Sequence, residues 1–202
     1  MNSMKADPQT IEYYDSFAKS YDLKTFQLEL TDQWNSFASM LNVGAKILDV
    51  GCGTGRDIKH FQNLGFLVDG IEPSRKMAAI ARSKTNATIF NMAAEDINFI
   101  DSYDGIWACA SLVHIQKALF VKTLKAILKA LKSGGYLYIS LKEGEGQTRL
   151  NDGRLFSYFT KSHLHEIVST LTNASIIKSW ATSDSAGRGD ISWINMIIQK
   201  NQ

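Results

Sequence analysis

The sequence predicts an α/β fold built on a mostly parallel sheet that ends in an antiparallel hairpin. Three observations carry that expectation. Short apolar runs alternate with segments of helical periodicity through most of the chain. The last two runs are joined by a connection too short for a crossover helix. The first run breaks into three glycines spaced by two, as a strand does when it enters a tight turn before a helix. Strands separated by helices of this length imply βαβ units and parallel pairing.

Residues 1–43 precede the first strand and are rich in aromatic side chains: Tyr13, Tyr14, Phe17, Tyr21, Phe26, Trp34 and Phe37. Tyr13, Phe17 and Tyr21 recur every four positions, on one face of a helix. That face either packs against the sheet domain or covers a ligand. Strand-like runs follow at 46–50, 67–71, 87–90, 103–109 and 135–141. A helix is predicted over 115–132, where Phe120, Leu124, Ile127, Leu128 and Leu131 make its apolar face. Lys122, Lys125, Lys129 and Lys132 form a stripe read as a solvated face, and Ser133-Gly134-Gly135 reads as the helix stop. The closing runs, 175–181 and 192–199, are linked by Thr182 to Ile191 and should pair antiparallel.

Composition bounds the class. A chain of 202 residues, 45% hydrophobic and 21% charged, suits one globular domain with a full core. No apolar run approaches the roughly 20 residues that span a bilayer, and Met1 to Thr10 lacks the order of a signal peptide. A net charge of +2 gives no support to a nucleic-acid partner. Cys52 and Cys109 have no metal-ligand spacing, which favours thiols in a reducing cytoplasm. His60, His114, His163 and His165 lack ligand spacing backed by cysteine or acid, so no metal site is expected.

Residues Lys46 to Asp57 read Lys-Ile-Leu-Asp-Val-Gly-Cys-Gly-Thr-Gly-Arg-Asp. Glycine lets a backbone adopt positive φ and lets a ligand lie against it, and a helix start favours an anionic group. The dinucleotide fingerprint wants glycines at relative positions one, three and six. The sixth position from Gly51 is Arg56, and an acid, Asp49, sits two before the first glycine. Asp-x-Gly-x-Gly-x-Gly resembles motif I of the class I S-adenosylmethionine-dependent methyltransferases. That resemblance implies a three-layer, Rossmann-like, seven-stranded sheet of order 3-2-1-4-5-7-6 over residues 44–202, with residues 1–43 as a helical lid. The Tyr13-Tyr14-Asp15…Ala18…Tyr21-Asp22 segment is similar to the opening of many family members.

The resemblance implies S-adenosylmethionine as cofactor, leaving S-adenosylhomocysteine. Asp49 and the turn (Gly51, Cys52, Gly53, Thr54 and Gly55) would meet the methionine ammonium and carboxylate. Glu72 follows the second strand, where a carboxylate can accept both ribose hydroxyls; an NAD enzyme would place an acid similarly. Pro73 and Met77 follow on the same side, and Tyr21 would cover the site. Relatives often carry Asp-Ala or Asn-Ala after the third strand to hold adenine. Here the polar position is Ala93, which leaves Ala94, Glu95 and Asp96, with Met92 packing on the ring. Ala110 and Ser111 end the fourth strand beside the turn.

His114 is the candidate base for a methyl acceptor, although methyl transfer needs little acid–base help once the reactants are aligned. Charged, glycine-rich segments supply acceptor candidates: Lys142, Glu143 and Arg154 after the fifth strand, and Arg188, Asp190 and Trp193 at the far hairpin. They suit a small polar or anionic acceptor. Alternatives are a tRNA base methyltransferase, a non-catalytic nucleoside-binding subunit and a nicotinamide-dependent oxidoreductase. A monomer and a homodimer both fit the sequence.

Overall fold

The computed structural model describes residues 6–201. The first five positions of the expected N-terminal segment therefore lie outside the described residues. Two helices, α1 (Pro8–Thr25) and α2 (Thr31–Ala38), precede the sheet. Then β1 (Lys46–Val50), α3 (Arg56–Asn63), β2 (Leu67–Ile71), α4 (Arg75–Lys84), β3 (Ile89–Phe90) and β4 (Tyr103–Cys109) alternate as expected. They are followed by α5 (Lys117–Ala130), β5 (Leu131–Lys142), a ribbon of β6 (Gln147–Arg149) and β7 (Leu155–Ser157), and α6 (Lys161–Ser169). The hairpin of β8 (Ala174–Ser183) and β9 (Ser192–Lys200) ends the fold.

The main sheet has seven strands in the order β3-β2-β1-β4-β5-β9-β8. Counting only its own strands this is 3-2-1-4-5-7-6, because β6 and β7 pair separately. The pairs from β3 to β5 are parallel, and β9 runs antiparallel to both β5 and β8. Alternate residues of the central strands feed opposite layers. Leu48, Ile106 and Ile139 pack with Phe120, Leu124 and Ile127 of α5. Ile47, Trp107 and Tyr138 pack with Trp34 and Phe37 of α2 and with Ile58 and Phe61 of α3.

The structure corrects the sequence reading at three places. Helix α5 ends at Ala130, and the chain passes directly into β5, so Ser133-Gly134-Gly135 is not a helix stop. It sits where the β4–β5 register shifts between Leu131 and Tyr136, with Gly134 at φ +77°. Lys132 consequently leaves the helical stripe and pairs with Asp104 at 2.8 Å. The third strand shrinks to two residues. Finally, Leu155, Phe156 and Ser157 are buried in the ribbon rather than exposed in a loop.

Helix α1 crosses the carboxyl edge of the sheet and is fastened at several points. Asp7 caps it through the Thr10 N–H and pairs with Arg149 of the ribbon at 2.7 Å. The Leu155 N–H donates to Thr10 Oγ1. At the other side Asp15 accepts from the Ser74 hydroxyl and the Lys76 N–H, and Asp22 pairs with Lys84.

Beneath it, Asp57 joins four donors in the core: Arg56 Nε and Nη2 at 2.8 and 2.9 Å, and the indole N–H groups of Trp34 and Trp107 at 3.0 and 2.9 Å. Asp57→Ala would strand a buried guanidinium and two indole donors. It is expected to cost about 3–5 kcal/mol, read as a lower urea midpoint at unchanged slope; a loss below 1 kcal/mol would refute this role.

Candidate functional site

Parallel strands β1, β2 and β4 all end at one edge, and the chain turns away above each. The glycine turn is the tightest of these exits. Gly51 and Cys52 donate their N–H groups to the Ile71 carbonyl at 2.9 and 3.0 Å, which ties the turn to the end of β2. Gly51 has φ +71°, and a Cβ there would overlap the Ser111 side chain. Gly55 has φ +88°, and a Cβ there would press on Thr85 and Ala81 of the α4 end. Both positions require glycine, for conformation and for space. Across the cleft Ala110 is itself left-handed at φ +53°, held by its N–H to Ser140 Oγ at 2.8 Å.

The cleft has two lobes that share Tyr21, Gly51, Gly53, Cys109 and Ala110. One is walled by Glu72, Pro73, Met77, Ala93, Ala94, Glu95, Ser111 and His114, under Thr10, Ile11 and Tyr14 of α1. The other holds Cys52, Thr54, Arg56, Asp57, Gln33, Ser140, Arg188, Trp193 and Asn195. Asp96 lines neither lobe, so it does not reach the position expected of it. Met92 also lines neither and packs against the core instead.

Three acids buried around the turn set the electrostatics. Glu72 accepts from the Gly53 N–H at 2.9 Å and the Ser74 N–H at 2.8 Å, which aims its carboxyl along the cleft. Burial nevertheless raises it to about 7. Asp49 is pushed well above the usual carboxylate range, first by burial and then by the neighbouring Asp57 charge. Its Oδ2 is buried with no donor among the described residues. Burial alone would raise Asp57 too, but the Arg56 guanidinium and the two indoles hold it low. Arg56 is thus, among the described residues, the cation that faces these three acids, and Asp57 claims it. Asp49 and Glu72 remain uncompensated, an arrangement that favours a cationic ligand.

His114 lies on the lobe wall, yet neither of its nitrogens is free. Nδ1 is 2.7 Å from the Leu155 carbonyl, and Nε2 is 2.8 Å from the Tyr14 hydroxyl. A carbonyl only accepts, so Nδ1 carries the proton and Nε2 accepts from Tyr14. Burial lowers the imidazole to about 4, which keeps it neutral. The expectation of His114 as a direct base is therefore corrected: its basic nitrogen is covered by a phenol.

The acceptor candidates divide. Arg188 and Trp193 line the second lobe. Lys142 and Arg154 line neither lobe but stand beside their walls, with the Lys142 ammonium 3.9 Å from the Phe156 ring centroid and the Arg154 guanidinium 4.3 Å from that of Tyr13. Glu143 is exposed and bonds to Ser192, away from the cleft. Asp190 is not the partner of Arg188. That role belongs to Asp184, which sequence reasoning passed over.

The family model described as a methyltransferase domain matches residues 47–135. A Geobacillus sp. (strain WCH70) protein with a provisional methyltransferase name is 35% identical over 137 residues, 61% of this chain and 55% of that one. Residues 47–135 of the chain are thus similar to a methyltransferase domain. The chain spans about half or less of the length of the first curated relatives it matches.

Among solved structures, the 1,6-didemethyltoxoflavin-N1-methyltransferase of Burkholderia thailandensis, with its substrate and S-adenosylhomocysteine bound, superposes with TM-score 0.77 at 18% identity. It covers 95% of this chain and 85% of that one. The [4+2]-cyclase SpnF superposes with TM-score 0.76 at 17% identity, covering 98% of each. At such identities these likenesses show the methyltransferase fold alone.

Sequence reasoning also missed Tyr14, Arg56 and Ser140. At about 100° per residue, Tyr14 lies only about 20° from Tyr21 around α1, whereas Tyr13 lies about 80° away. The seven-residue spacing was the better guide to the cleft face, and Phe17 is accordingly 50% exposed. The structure also fixes an observable for His114. Its folded pKa lies below the unfolded value, so its contribution to stability is complete above about 6.5 and is lost as pH falls toward 4. Nitrogen-15 spectra are expected to show a neutral imidazole protonated on Nδ1 down to about pH 5. An imidazolium at pH 6 would contradict the tautomer.

Proposed function

We propose that this methyltransferase moves the methyl group of S-adenosylmethionine to a small polar or anionic acceptor. One observation carries the reading: a buried carboxylate oxygen of Asp49, without a donor, stands beneath a glycine turn whose N–H at Gly53 aims Glu72 along the cleft. These features fit a ligand with a cationic amino-acid end and a vicinal diol. Asp49 takes the ammonium. The Gly51–Gly55 backbone, the start of α3 and Arg56 take the carboxylate. Glu72 takes the ribose hydroxyls. Pro73, Met77, Ala94 and Glu95 flank the base, and Ala110, Ser111 and Tyr21 enclose the reacting end.

When bound, the cofactor supplies an electrophilic methyl on a sulfonium. The chain supplies alignment, the largest contribution such a transfer needs. Helix α1 acts as the lid, with Tyr14 and Tyr21 facing the ligand. His114 orients Tyr14 instead of taking a proton itself. Lys142, Arg154, Arg188 and Trp193 bound the acceptor.

A second reading follows from the structural likeness to a [4+2]-cyclase: the same nucleoside site in a protein whose reaction is not methyl transfer. Calorimetric titration with S-adenosylmethionine, S-adenosylhomocysteine and NAD, followed by detection of a methylated product from an acceptor panel, separates the readings. Binding of NAD alone would overturn both.

Asp49→Ala is expected to abolish S-adenosylhomocysteine binding in a folded protein, because the ammonium loses its buried partner. Wild-type affinity in that variant would remove the assignment. Glu72 gives a pH signature. With its carboxyl at about 7, only the ionised fraction accepts from both ribose hydroxyls. S-adenosylhomocysteine affinity is expected to fall about tenfold from pH 8 to pH 6, and Glu72→Gln should flatten that profile while weakening binding. A flat wild-type profile would assign Glu72 another task.

A further inference from the structure

Three cations stand in or beside the cleft, and they are not equivalent. Arg154 gives Nε and Nη2 to Asp152 at 3.1 and 2.7 Å. Arg188 gives Nε and Nη2 to the two oxygens of Asp184 at 2.9 and 2.8 Å, and Trp193 Nε1 adds a third donor to that acid. Each guanidinium is thus matched by its own carboxylate two or four residues away.

Lys142 has no such partner. Among the described residues its ammonium makes no hydrogen bond and no ion pair, and the adjacent Glu143 carboxylate is turned to Ser192. It rests instead over the rings of Phe156 and Trp193, at 3.9 and 5.8 Å from their centroids. Ring faces attract a cation but offer its N–H groups no conventional acceptor. Lys142 is also half-buried, and Arg188 and Arg154 add their repulsion to that burial in lowering its pKa. Two acids therefore face three cations, and the surplus charge falls on the one side chain without a partner.

Its place in the fold gives the surplus a use. Lys142 is opposite Trp193 in the β5–β9 register, and Trp193 walls the lobe that holds Arg188. The Phe156 ring beneath the ammonium lies 4.6 Å from the His114 ring on the wall of the other lobe. The lysine lines neither lobe itself but stands between Trp193, on the wall of one, and Phe156, which packs on His114 of the other.

We infer that Lys142 is the anchor for an oxyanion on the acceptor, a carboxylate or a phosphate, with Arg154 and Arg188 shaping the mouth rather than holding the ligand. This inference rests on the methyl-transfer reading and narrows the substrate to small molecules that bring one compact anionic group to the cleft. A single ammonium with three rotatable donors suits a point contact with such a group, whereas each guanidinium already commits its Nε–Nη2 edge to its own acid.

The test uses the full chain saturated with S-adenosylhomocysteine, at constant ionic strength, titrated calorimetrically with benzoate in one arm and inorganic phosphate in the other. One of the two anions is expected to bind saturably, and the arm that does so names the oxyanion. Lys142→Met, which keeps the stem over Phe156, should weaken that binding at least tenfold. Lys142→Arg should stay within about threefold, since the charge returns. Both variants should keep S-adenosylhomocysteine affinity within about threefold, which also shows that they fold. Saturation by neither anion, or equal anion binding in Lys142→Met, would overturn the inference. Failure of the wild-type chain to bind S-adenosylhomocysteine would instead overturn the reading beneath it.

Discussion

A single carboxylate, Asp57, holds together the parts that build the cleft. It lies in the first turn of α3, where an acid is favoured by the helix dipole, and it collects donors from α2, from β4 and from the preceding Arg56. The glycine turn is thereby fixed from both ends: by β1 and the Ile71 carbonyl before it, and by the Asp57 knot after it. The knot also determines the charge of the site. Because Asp57 takes the neighbouring Arg56 guanidinium, Asp49 shares the region with a second negative charge and has no donor on its Oδ2 among the described residues. Stability and binding are linked here, since the network that rigidifies the turn leaves the neighbouring acid in need of a cation.

The sheet was legible because its signals are local. A short, largely apolar strand such as Ile47 to Val50 admits few placements, and a strand followed by Gly51, Gly53 and Gly55 has one plausible turn direction. Glu72 was readable for the same reason, as its position follows from the end of an adjacent parallel strand. Residues whose roles depend on contacts distant in sequence were not legible. The buried ribbon of Leu155 to Ser157 makes sense only once Thr10, Ile115 and His114 are seen to accept from it or donate to it. Asp184 was passed over because Asp190 is the nearer acid to Arg188 in sequence, and only the geometry of the β8–β9 turn chooses between them. Asp96 was overcalled on offset alone, since a short helical turn at Ala94–Asp96 carries it past the cleft.

The contacts of α1 join two regions that the sequence presents as unrelated. The helix is clasped by Arg149 and Leu155 of the ribbon at one end and by Ser74, Lys76 and Lys84 around α4 at the other. The ribbon borders the mouth where an acceptor would enter, and α4 follows the segment that carries Glu72. A movement of α1 that admits a nucleoside must therefore loosen contacts on the acceptor side as well. These fastenings include two doubled ion pairs, Arg149 with Asp7 and Lys84 with Asp22, and a buried bond from Leu155 to Thr10, so α1 is held firmly at both ends.

Fold likeness alone leaves the reaction open, because this architecture superposes equally well on a methyltransferase and on a [4+2]-cyclase. What separates chemistries within one fold is the second half of the cleft, beyond the nucleoside. Among the described residues that line that half, no acid is unpaired and there is no free imidazole. Its acids, Asp152 and Asp184, are bound to their own arginines, and His114 is locked between a carbonyl and a phenol. A site without an available base suits a transfer in which the acceptor arrives already nucleophilic, or loses its proton to water after the methyl has moved. On the proposed reading the cations beside the cleft would serve such a substrate in two ways: they would hold the anion, and they would favour the deprotonated form of any acidic group brought near them. The same positive charges oppose an approaching sulfonium. The cofactor must therefore be held from the other side, which is where Asp49 and Glu72 stand.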